Sequence, residues 1–423
     1  SIVGRLWLLL PAGEVDPRAV VALLCGSARQ IQEKMDQARR TRDLSLEQME
    51  KVARRFKQQN PGIQASHILS LPLVELAEKL KEGSLSPESV LYTYIDQALE
   101  VTREVNCVTD FMQGCEEQLR EVRRKKERGL LYGVLVSIKD HIGCKGHVST
   151  SGLVQFLGKA EEEDSVIVQV LKRQEAIPFV KTNILQSMIN YDCSNLIFGQ
   201  TVNPLNHKKS PGGSSGGEGA LITGGGSILG FGTDIVGSIR LPSSFCGLCG
   251  LKPTGFKASL SNCITGMVGP MAGDVDSLAL CMRLLCFQVY SSSVSLRIGY
   301  YDGYGYFQPS PNMRQAVQET RKLLQRAGHT ISGPFYTPPG IDYMVDELFT
   351  RGLFSDGAAN LLDKFKGDIV DPTLKSQINC YHLPILVKKI LALILKPVVS
   401  HLDVSAKSLW KHHVAVAVIL FSH

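Results

Sequence analysis

The segment that most constrains the fold of this chain is residues 210–250, SPGGSSGGEGALITGGGSILGFGTDIVGSIRLPSSFCGLCG. It is crowded with glycine and serine, and its charged side chains are those of Glu218, Asp234 and Arg240. A flexible linker has no use for the apolar run ILGF at residues 228–231. Glycine is required where the backbone adopts a positive φ or approaches another group closely. The segment therefore predicts a buried active-site loop with several candidate serine nucleophiles, and not a spacer.

The composition is typical of a globular protein with a substantial core. Of the 423 residues, 44% are hydrophobic and 20% are charged. This length accommodates one large α/β domain or a few ordinary domains. The sequence contains no dense stripe of Lys and Arg with interleaved aromatic residues, so it does not predict a nucleic-acid partner. The net charge of +6 is compatible with an anionic membrane surface.

The cysteines do not follow a metal-binding pattern. There are eleven of them, and the C-x-x-C pair formed by Cys246 and Cys249 is not followed by a second pair at zinc spacing. We therefore expect buried free thiols beside a tight loop, with no metal and no cofactor. Reduced thiols favour a cytosol-facing protein.

The N-terminal part of the chain is predicted to be helical. The apolar runs within residues 1–27 are too short to span a membrane, and we interpret this segment as the remnant of a membrane anchor or as a leader. Residues 28–66 form an N-terminal helical region, in which a long solvated helix ends at Asn60. Of the two helices that follow, one is closed by Gly83, and the next is capped by the segment SLSPE at residues 84–88, with proline just inside its start.

An alternation of strands and helices begins at residue 131. The run LYGVLVSIKD predicts a buried strand that delivers Lys139 at its end. Residues 165–175 have a helical pattern, and residues 177–183 predict the next strand. This alternation is typical of a largely parallel sheet covered by helices, and it places the chain in the α/β class.

Three polar side chains are candidates for catalysis: Lys139, Ser214 and Ser238. A serine needs a base before it attacks a carbonyl, and a lysine can be that base when burial disfavours its charged form. A second serine would relay the proton, and successive N–H groups at residues 235–238 would form an oxyanion hole. From spacing alone, a Gly-rich structural turn with solvated serines is an alternative interpretation.

Two other Gly-rich motifs fit less well. Residues 213–217 match the G-x-S-x-G pattern of a nucleophile elbow around Ser215. An elbow requires a preceding strand, and residues 207–211, HKKSP, do not predict one. A phosphate-binding loop fits poorly because no Lys-Ser or Lys-Thr pair follows the glycines.

The order of the motifs is more specific than any one of them. VSIKD, SPGGSSGGEGALI and GTDIVGSIRLPSSFCGLCGLKPT, in this order, resemble the amidase signature family. The segments TNILQSMINYDCSNLIFGQTVNP, GLFSDG, FKGDIVDP and LPILVKKILALILKP resemble its fatty-acid amide hydrolase branch. The resemblance covers about residues 28–410 and implies an amidase signature domain at 67–410 and a divergent tail at 411–423. It also implies a large twisted mixed β-sheet core covered by α-helices and incomplete at the C-terminus.

The resemblance implies a role for each candidate. Ser238 matches the nucleophile, Ser214 the bridging serine and Lys139 the base. This triad would hydrolyse a fatty-acid amide to a fatty acid and an amine through an acyl-enzyme. The matching substrate-binding positions are Met188, Ser214, Ile235, Val236, Gly237, Ser238 and Phe354. Asp234 and Arg240, which flank the nucleophile, are expected to pair and to hold its loop.

Residues 383–397, LPILVKKILALILKP, predict a helix that lies in a membrane interface. The segment is too short to span a bilayer, and on a helical wheel Lys388, Lys389 and Lys396 gather on one side of an otherwise apolar surface. An ordinary buried helix is the alternative. The resemblance implies that residues 381–402 form a membrane cap, through which a lipid amide would enter from the bilayer. We therefore expect a lipid amide substrate, a membrane surface as partner, a homodimer, and a location on cytosol-facing endomembranes.

The chain departs from the family's pattern in three places. Val236 stands where the family usually has glycine, and a β-branched residue adopts a positive φ with difficulty. Loss of one oxyanion donor there would cost about 10²–10³ in rate. Leu135 replaces a common proline, and the resemblance fades after Trp410, where family members continue. The second hypothesis is therefore a truncated, catalytically inactive homologue that retains membrane binding or dimerisation.

Overall fold

The structure is a computed structural model that describes residues 17–125, 127–254, 266–286, 294–301, 309–333, 356, 358–384, 386–388 and 390. These residues form two compact units. The first consists of the described parts of Ser1–Ala258, Gly266–Gln288 and Asp363–Asp371, and the second of the described parts of Val289–Leu362 and Pro372–His423. The candidates Lys139, Ser214 and Ser238 all belong to the first unit.

Four helices open the described part of the first unit: α1 (Pro17–Gln59), α2 (Ala65–Ser70), α3 (Leu73–Glu82) and α4 (Pro87–Val105). The helix ends predicted from the sequence are confirmed. α1 stops before Asn60, and Gly83 closes α3 with a left-handed φ of 85°. At the start of α4 the Ser86 hydroxyl accepts a hydrogen bond from the Ser89 amide.

Helix α1 is part of the core of the first unit. It begins at Pro17, inside the segment interpreted as an anchor or leader, and residues 1–16 lie outside the described residues. Met49 and Ala53 of α1 are buried in the main hydrophobic core. The N-terminal helical region therefore folds together with the sheet.

A six-stranded mixed sheet forms the centre of the first unit. In spatial order its strands are β1 (Val108–Phe111), β3 (Ile177–Thr182), β2 (Leu135–Lys139), β6 (Leu229–Asp234), β8 (Met267–Ala272) and β7 (Cys249–Gly250). β2 runs parallel to both β3 and β6, whereas β1, β8 and β7 pair antiparallel with their neighbours. The predicted α/β class with a mixed sheet is confirmed, although the parallel part is limited to the three central strands.

The described part of the first unit contains five further α-helices: α5 (Cys115–Arg123), α6 (Val166–Arg173), α7 (Gly216–Thr223), α8 (Arg240–Cys246) and α9 (Val275–Cys286). β2 and β3 are buried along their whole length, as expected of strands covered on both faces. A short pair, β4 (Ser194–Asn195) and β5 (Gly199–Gln200), lies apart from the central sheet.

In the second unit, β9 (Arg297–Gly299) and β10 (Thr330–Ser332) form a parallel pair, with α10 (Pro311–Arg326) between them in the chain. α11 (Ala359–Asp363) leads into the segment Asp363–Asp371 of the first unit, and α12 (Lys375–His382) lies beyond it. Of the predicted interfacial helix, Leu386, Val387 and Ile390 are helical and exposed, and most of the rest lies outside the described residues. Within the described chain, no helix combines the length and hydropathy that a membrane crossing needs.

Candidate active site

Lys139 is the last residue of β2 and is completely buried. Its position follows from the sequence, because the apolar strand LVSI carries the lysine into the interior before the chain turns. Lys139 Nζ lies 2.8 Å from Ser214 Oγ and 3.1 Å from Thr233 Oγ1. The structure thus brings together two candidates that are separated by 75 residues in the chain.

Burial lowers the pKa of Lys139 from its usual value to about 7. Cys193, Asp234, Glu218 and Asp140 act in the opposite direction and do not offset the loss of hydration. A lysine with this pKa is neutral in a large fraction of molecules near neutral pH. It can then accept a proton from the Ser214 hydroxyl along the short contact between them.

The loop that carries Ser214 is held by close contacts that only glycine allows. The peptide bond between Gly213 and Ser214 is cis. A Cβ on Gly213 would lie 1.9 Å from the carbonyl oxygen of Asp192, and one on Gly217 would lie 2.4 Å from the amide nitrogen of Asn183. These glycines therefore serve the close approach of neighbouring backbone segments. Ser214 itself is 1% exposed.

Ser238 lies in the turn between β6 and α8 and is partly exposed. Its carbonyl oxygen accepts a hydrogen bond of 3.1 Å from the Ser215 amide, and this bond ties the two serine loops to each other. The Ser215 hydroxyl bonds to the backbone of Thr233, at 3.4 Å from both its N and its O. Ser215 is fully buried and tied to β6, which does not fit the exposed serine of a nucleophile elbow.

Asp234 organises the turn that carries Ser238. Its carboxylate accepts hydrogen bonds from the amides of Gly237 (2.6 Å), Ile239 (3.1 Å) and Arg240 (3.2 Å). The Arg240 guanidinium adds a bidentate contact of 2.9 and 3.0 Å, which confirms the predicted pair. Burial raises the pKa of Asp234, but the bonds from Arg240 and the amides outweigh it and hold this pKa below its usual value.

The predicted oxyanion hole comprises the N–H groups of Ile235, Val236, Gly237 and Ser238. In the structure the Gly237 amide donates to Asp234, so that donor is already engaged. The φ of Gly237 is 144°, whereas Val236 does not have a positive φ. A Cβ on Gly237 would also lie 2.9 Å from Leu241 Cδ1. The position in this turn that requires glycine is therefore 237, and valine at 236 is compatible with the backbone.

Met188 lies in a turn with unusual backbone geometry. Ser187 and Met188 have φ values of 58° and 62°, which non-glycine residues adopt with difficulty. The preceding Gln186 is buried and bonds to the segment that ends the first unit. Its amide nitrogen donates to Ile369 O at 2.8 Å, and its amide oxygen accepts from the Asp371 amide at 2.7 Å. The other predicted substrate contact, Phe354, lies outside the described residues.

Sequence reasoning did not identify Thr233 and Glu218 as site residues. Thr233 is the next-to-last residue of β6, and its hydroxyl faces Lys139. Glu218 is the one acidic residue of the otherwise apolar helix α7, and it is fully buried. A single acidic residue in an otherwise apolar helix was the feature of the sequence that could have identified Glu218 as a site residue. Among the described residues, no group of three or more His, Cys, Asp and Glu side chains could hold a metal ion.

Comparison with known proteins gives one family. The Amidase family model matches residues 89–391. The chain is 65% identical to vitamin D3 hydroxylase-associated protein of Gallus gallus, over 97% of this chain and 98% of that protein. It is 48% identical to fatty-acid amide hydrolase 1 of Sus scrofa, over 91% of this chain and 70% of that protein. A solved fatty acid amide hydrolase has the same fold, with a TM-score of 0.69 at 21% identity over 91% of this chain and 81% of that one.

Proposed function

The chain belongs to the amidase family of hydrolases, which act on amide carbon–nitrogen bonds, and we propose that it is a membrane-associated serine amidase of fatty-acid amides. The observation that carries the catalytic part is the 2.8 Å contact between the fully buried Lys139 and Ser214. A buried lysine next to a buried hydroxyl makes a proton-transfer pair without histidine.

The proposed reaction uses Ser238 as the nucleophile. Neutral Lys139 takes the Ser214 proton while Ser214 takes the Ser238 proton, and Ser238 Oγ attacks the amide carbonyl carbon. The carbon–nitrogen bond then breaks, and the proton returns through Ser214 to the leaving nitrogen, which departs as a neutral amine. Water, activated by the same two residues, attacks the acyl-enzyme, releases the fatty acid and restores the Ser238 hydroxyl.

The lipid part of the proposal is supported by similarity and by surface chemistry. The relatives from Sus scrofa and Caenorhabditis elegans are fatty-acid amide hydrolases by name. In the second unit, Leu386, Val387 and Ile390 expose 67%, 39% and 49% of their surface. Three exposed apolar side chains within one helical turn are suited to a membrane interface. On this proposal the protein lies on a cytosol-facing endomembrane, and the predicted homodimer is a further expectation.

The catalytic proposal is tested by labelling the protein with a serine-directed fluorophosphonate. We expect the wild type and the surface control Ser84→Ala to be labelled, and Ser238→Ala to remain unlabelled. Hydrolysis of a long-chain fatty amide and of acetamide, measured in parallel, then tests the substrate class. A higher kcat/KM for acetamide would contradict the lipid assignment, and labelling of Ser238→Ala would contradict the nucleophile.

The membrane proposal is tested by sedimentation with anionic vesicles. Replacement of Leu386, Val387 and Ile390 by serine should reduce the bound fraction. Leu323→Ser is the matched control, because Leu323 is a 61% exposed leucine on α10, elsewhere in the second unit. Equal sedimentation of the triple variant and the control would refute an interfacial role for this helix.

A second candidate, a catalytically inactive homologue that retains membrane binding, is favoured by one observation. The Gly237 amide is bonded to Asp234 and is not available to an oxyanion in this conformation. For an inactive homologue, we expect that neither the wild type nor Val236→Gly hydrolyses amides, although both fold and bind vesicles. Hydrolysis by the wild type that is lost in Ser238→Ala would exclude it.

A further inference from the structure

Glu218 is a buried acid to which the proposed reaction gives no role. It lies in α7, four residues after Ser214, and its side chain is fully buried. A buried carboxyl without partners would be costly to the fold, so its contacts indicate what holds it there.

The Glu218 carboxyl bridges the strands of the central sheet. Oε2 accepts a hydrogen bond of 2.5 Å from Ser137 Oγ on β2, and Oε1 accepts one of 2.8 Å from Thr182 Oγ1 on β3. On the third strand, β6, a Cβ at Gly230 would lie 2.0 Å from Oε2. The absence of a side chain at Gly230 therefore leaves the space that the carboxyl occupies. Glu218 thus contacts three adjacent strands, through hydrogen bonds to β2 and β3 and through close packing against β6.

Both hydroxyl partners adjoin the proposed base. Ser137 precedes Lys139 by two residues on β2, so the two side chains point to the same face of the sheet. Thr182 is the residue of β3 that pairs with Lys139. Lys139 in turn contacts Ser214, which lies two residues before the start of the helix that carries Glu218. The carboxyl thus joins the strand that ends on the base to the helix that follows the relay serine.

We propose that Glu218 is a positioning residue, which holds Lys139 within hydrogen-bonding distance of Ser214 and places a negative charge near the base. The inference deepens the proposed amidase function and rests on it. Because the Glu218 charge favours the ammonium form of Lys139, it makes the base more readily protonated.

Several other groups act on the pKa of Lys139 in the same direction as Glu218. Burial raises the pKa of Glu218 to about 7, while Ser137, Thr182 and Lys139 act in the opposite direction. Lys139 is faced by Cys193 and Asp140 as well as by Asp234 of the nucleophile turn. Glu218 also acts on the buried Cys107 thiol. Removal of the Glu218 charge alone should therefore lower the pKa of Lys139 and leave the other acidic neighbours in place.

The first test is the pH dependence of kcat/KM for Glu218→Gln, since glutamine keeps the shape and can still bond to both hydroxyls. We expect the acid limb to move to lower pH by roughly 0.5 unit relative to the wild type, because the pKa of Glu218 is itself about 7 and its carboxyl is therefore only partly ionised over this limb. The matched control is Glu175→Gln, because Glu175 is a buried acid that bonds to the Gly129 amide and to Lys125 instead. An acid limb that stays in place in Glu218→Gln, or moves equally in the control, overturns the electrostatic role.

The second test separates positioning from stability. Ser137→Ala removes one of the two hydrogen bonds to Glu218 while leaving its charge. We expect kcat to fall about 5- to 20-fold with KM unchanged, because the base is displaced and substrate contacts are not. A lower Tm with an unchanged kcat would show that the cluster serves the fold alone and would refute the positioning role.

The third test does not depend on amidase activity. The lowered pKa of Lys139 means that the wild type gains stability relative to Lys139→Met as the pH rises from about 7 toward the unfolded value of 10.5. In the Glu218→Gln background this gain should begin at lower pH, measured as the difference in Tm between paired variants. Absence of amidase activity would refute the proposed function, whereas an unmoved onset of this gain would refute the role of Glu218.

Discussion

Lys139 and Asp234 lie close together at the ends of neighbouring strands, but their surroundings have opposite effects on the charged form: it is disfavoured for Lys139 and favoured for Asp234. Lys139 is completely buried, and burial lowers its pKa to about 7, so its ammonium is disfavoured. Asp234 is also buried, yet the Arg240 side chain and the backbone amides of Ile239 and Arg240 keep its pKa below the usual value. Thr233, which faces Lys139, and Asp234 are adjacent in the chain.

The difference shows that the end of β6 has two roles, since Thr233 contacts Lys139 and Asp234 holds the turn that carries Ser238. A base must lose its charge before it can accept a proton, and desolvation without a close ion pair achieves this. A turn must keep one conformation, and an ionised carboxylate with several donors achieves that. Variants in either region test this contrast between a desolvated base and a charged scaffold.

The largest effect is expected from removing the proposed base. Lys139→Met should lower kcat/KM by roughly 10⁴-fold, since neither serine then has a proton acceptor. Below about pH 7 stability should not fall, because a buried ammonium is replaced by an apolar side chain of similar length. The measurement is amide hydrolysis together with thermal unfolding. Retention of more than about a tenth of the wild-type rate would show that another group acts as the base.

The next effect concerns pH. Because the pKa of Lys139 is lowered to about 7, kcat/KM should fall about tenfold for each pH unit below that value. Asp234 should contribute no titration in this range, because its pKa is held below the usual value. The profile should be measured with an amide whose leaving amine does not titrate between pH 5 and 8. A flat profile over that interval would contradict a desolvated lysine base.

A smaller effect is expected from neutralising the scaffold. Asp234→Asn should lower kcat/KM about 10- to 100-fold, because it loosens the turn that carries Ser238. It should also lower the free energy of unfolding by about 2 kcal/mol, since amide donors lose a charged acceptor.

Arg240→Gln is the control for that experiment. The Arg240 side chain is 52% exposed, so its removal should cost less than about 1 kcal/mol of stability. If the arginine variant is as impaired as Asp234→Asn, the ion pair and not the amide bonds holds the turn.

The smallest effect is expected at Val236. Because Val236 does not have a positive φ, glycine there relieves no strain and adds freedom to the unfolded chain. Val236→Gly should therefore lower stability by about 0.5–1 kcal/mol and change the fluorophosphonate labelling rate less than about threefold. Stabilisation of the protein, or labelling that appears only in this variant, would instead show that Val236 distorts the turn that carries Ser238.

Much of the local structure was predictable because its causes are local. The apolar run before Lys139 predicted a buried strand, and glycine and serine at the helix ends predicted the caps at Gly83 and Ser86. The Asp234–Arg240 pair was predictable because its members lie six residues apart around one turn. Motif order along the chain also sufficed to predict the amidase family, which the family model confirms.

The pairing of distant strands was not predictable in the same way. The strand–helix rhythm predicted a largely parallel sheet, but β8 pairs antiparallel with β6 across the intervening α8 and β7. β1 joins the edge of the sheet antiparallel to β3, although about 65 residues separate them in the chain. Such pairings depend on which sheet edges remain free after the central strands assemble, and a local sequence pattern does not predict this.

By itself the sequence determined which residue types are available for the reaction and the order in which the chain presents them: a lysine at a strand end, a serine in a glycine loop, and a second serine beyond the next strand. Only the tertiary structure decided that Lys139 meets Ser214 and Thr233, that Glu218 spans β2 and β3, and that the Gly237 amide bonds to Asp234. The physical reason is that burial, and with it the pKa of each buried group, depends on atoms brought from distant parts of the chain.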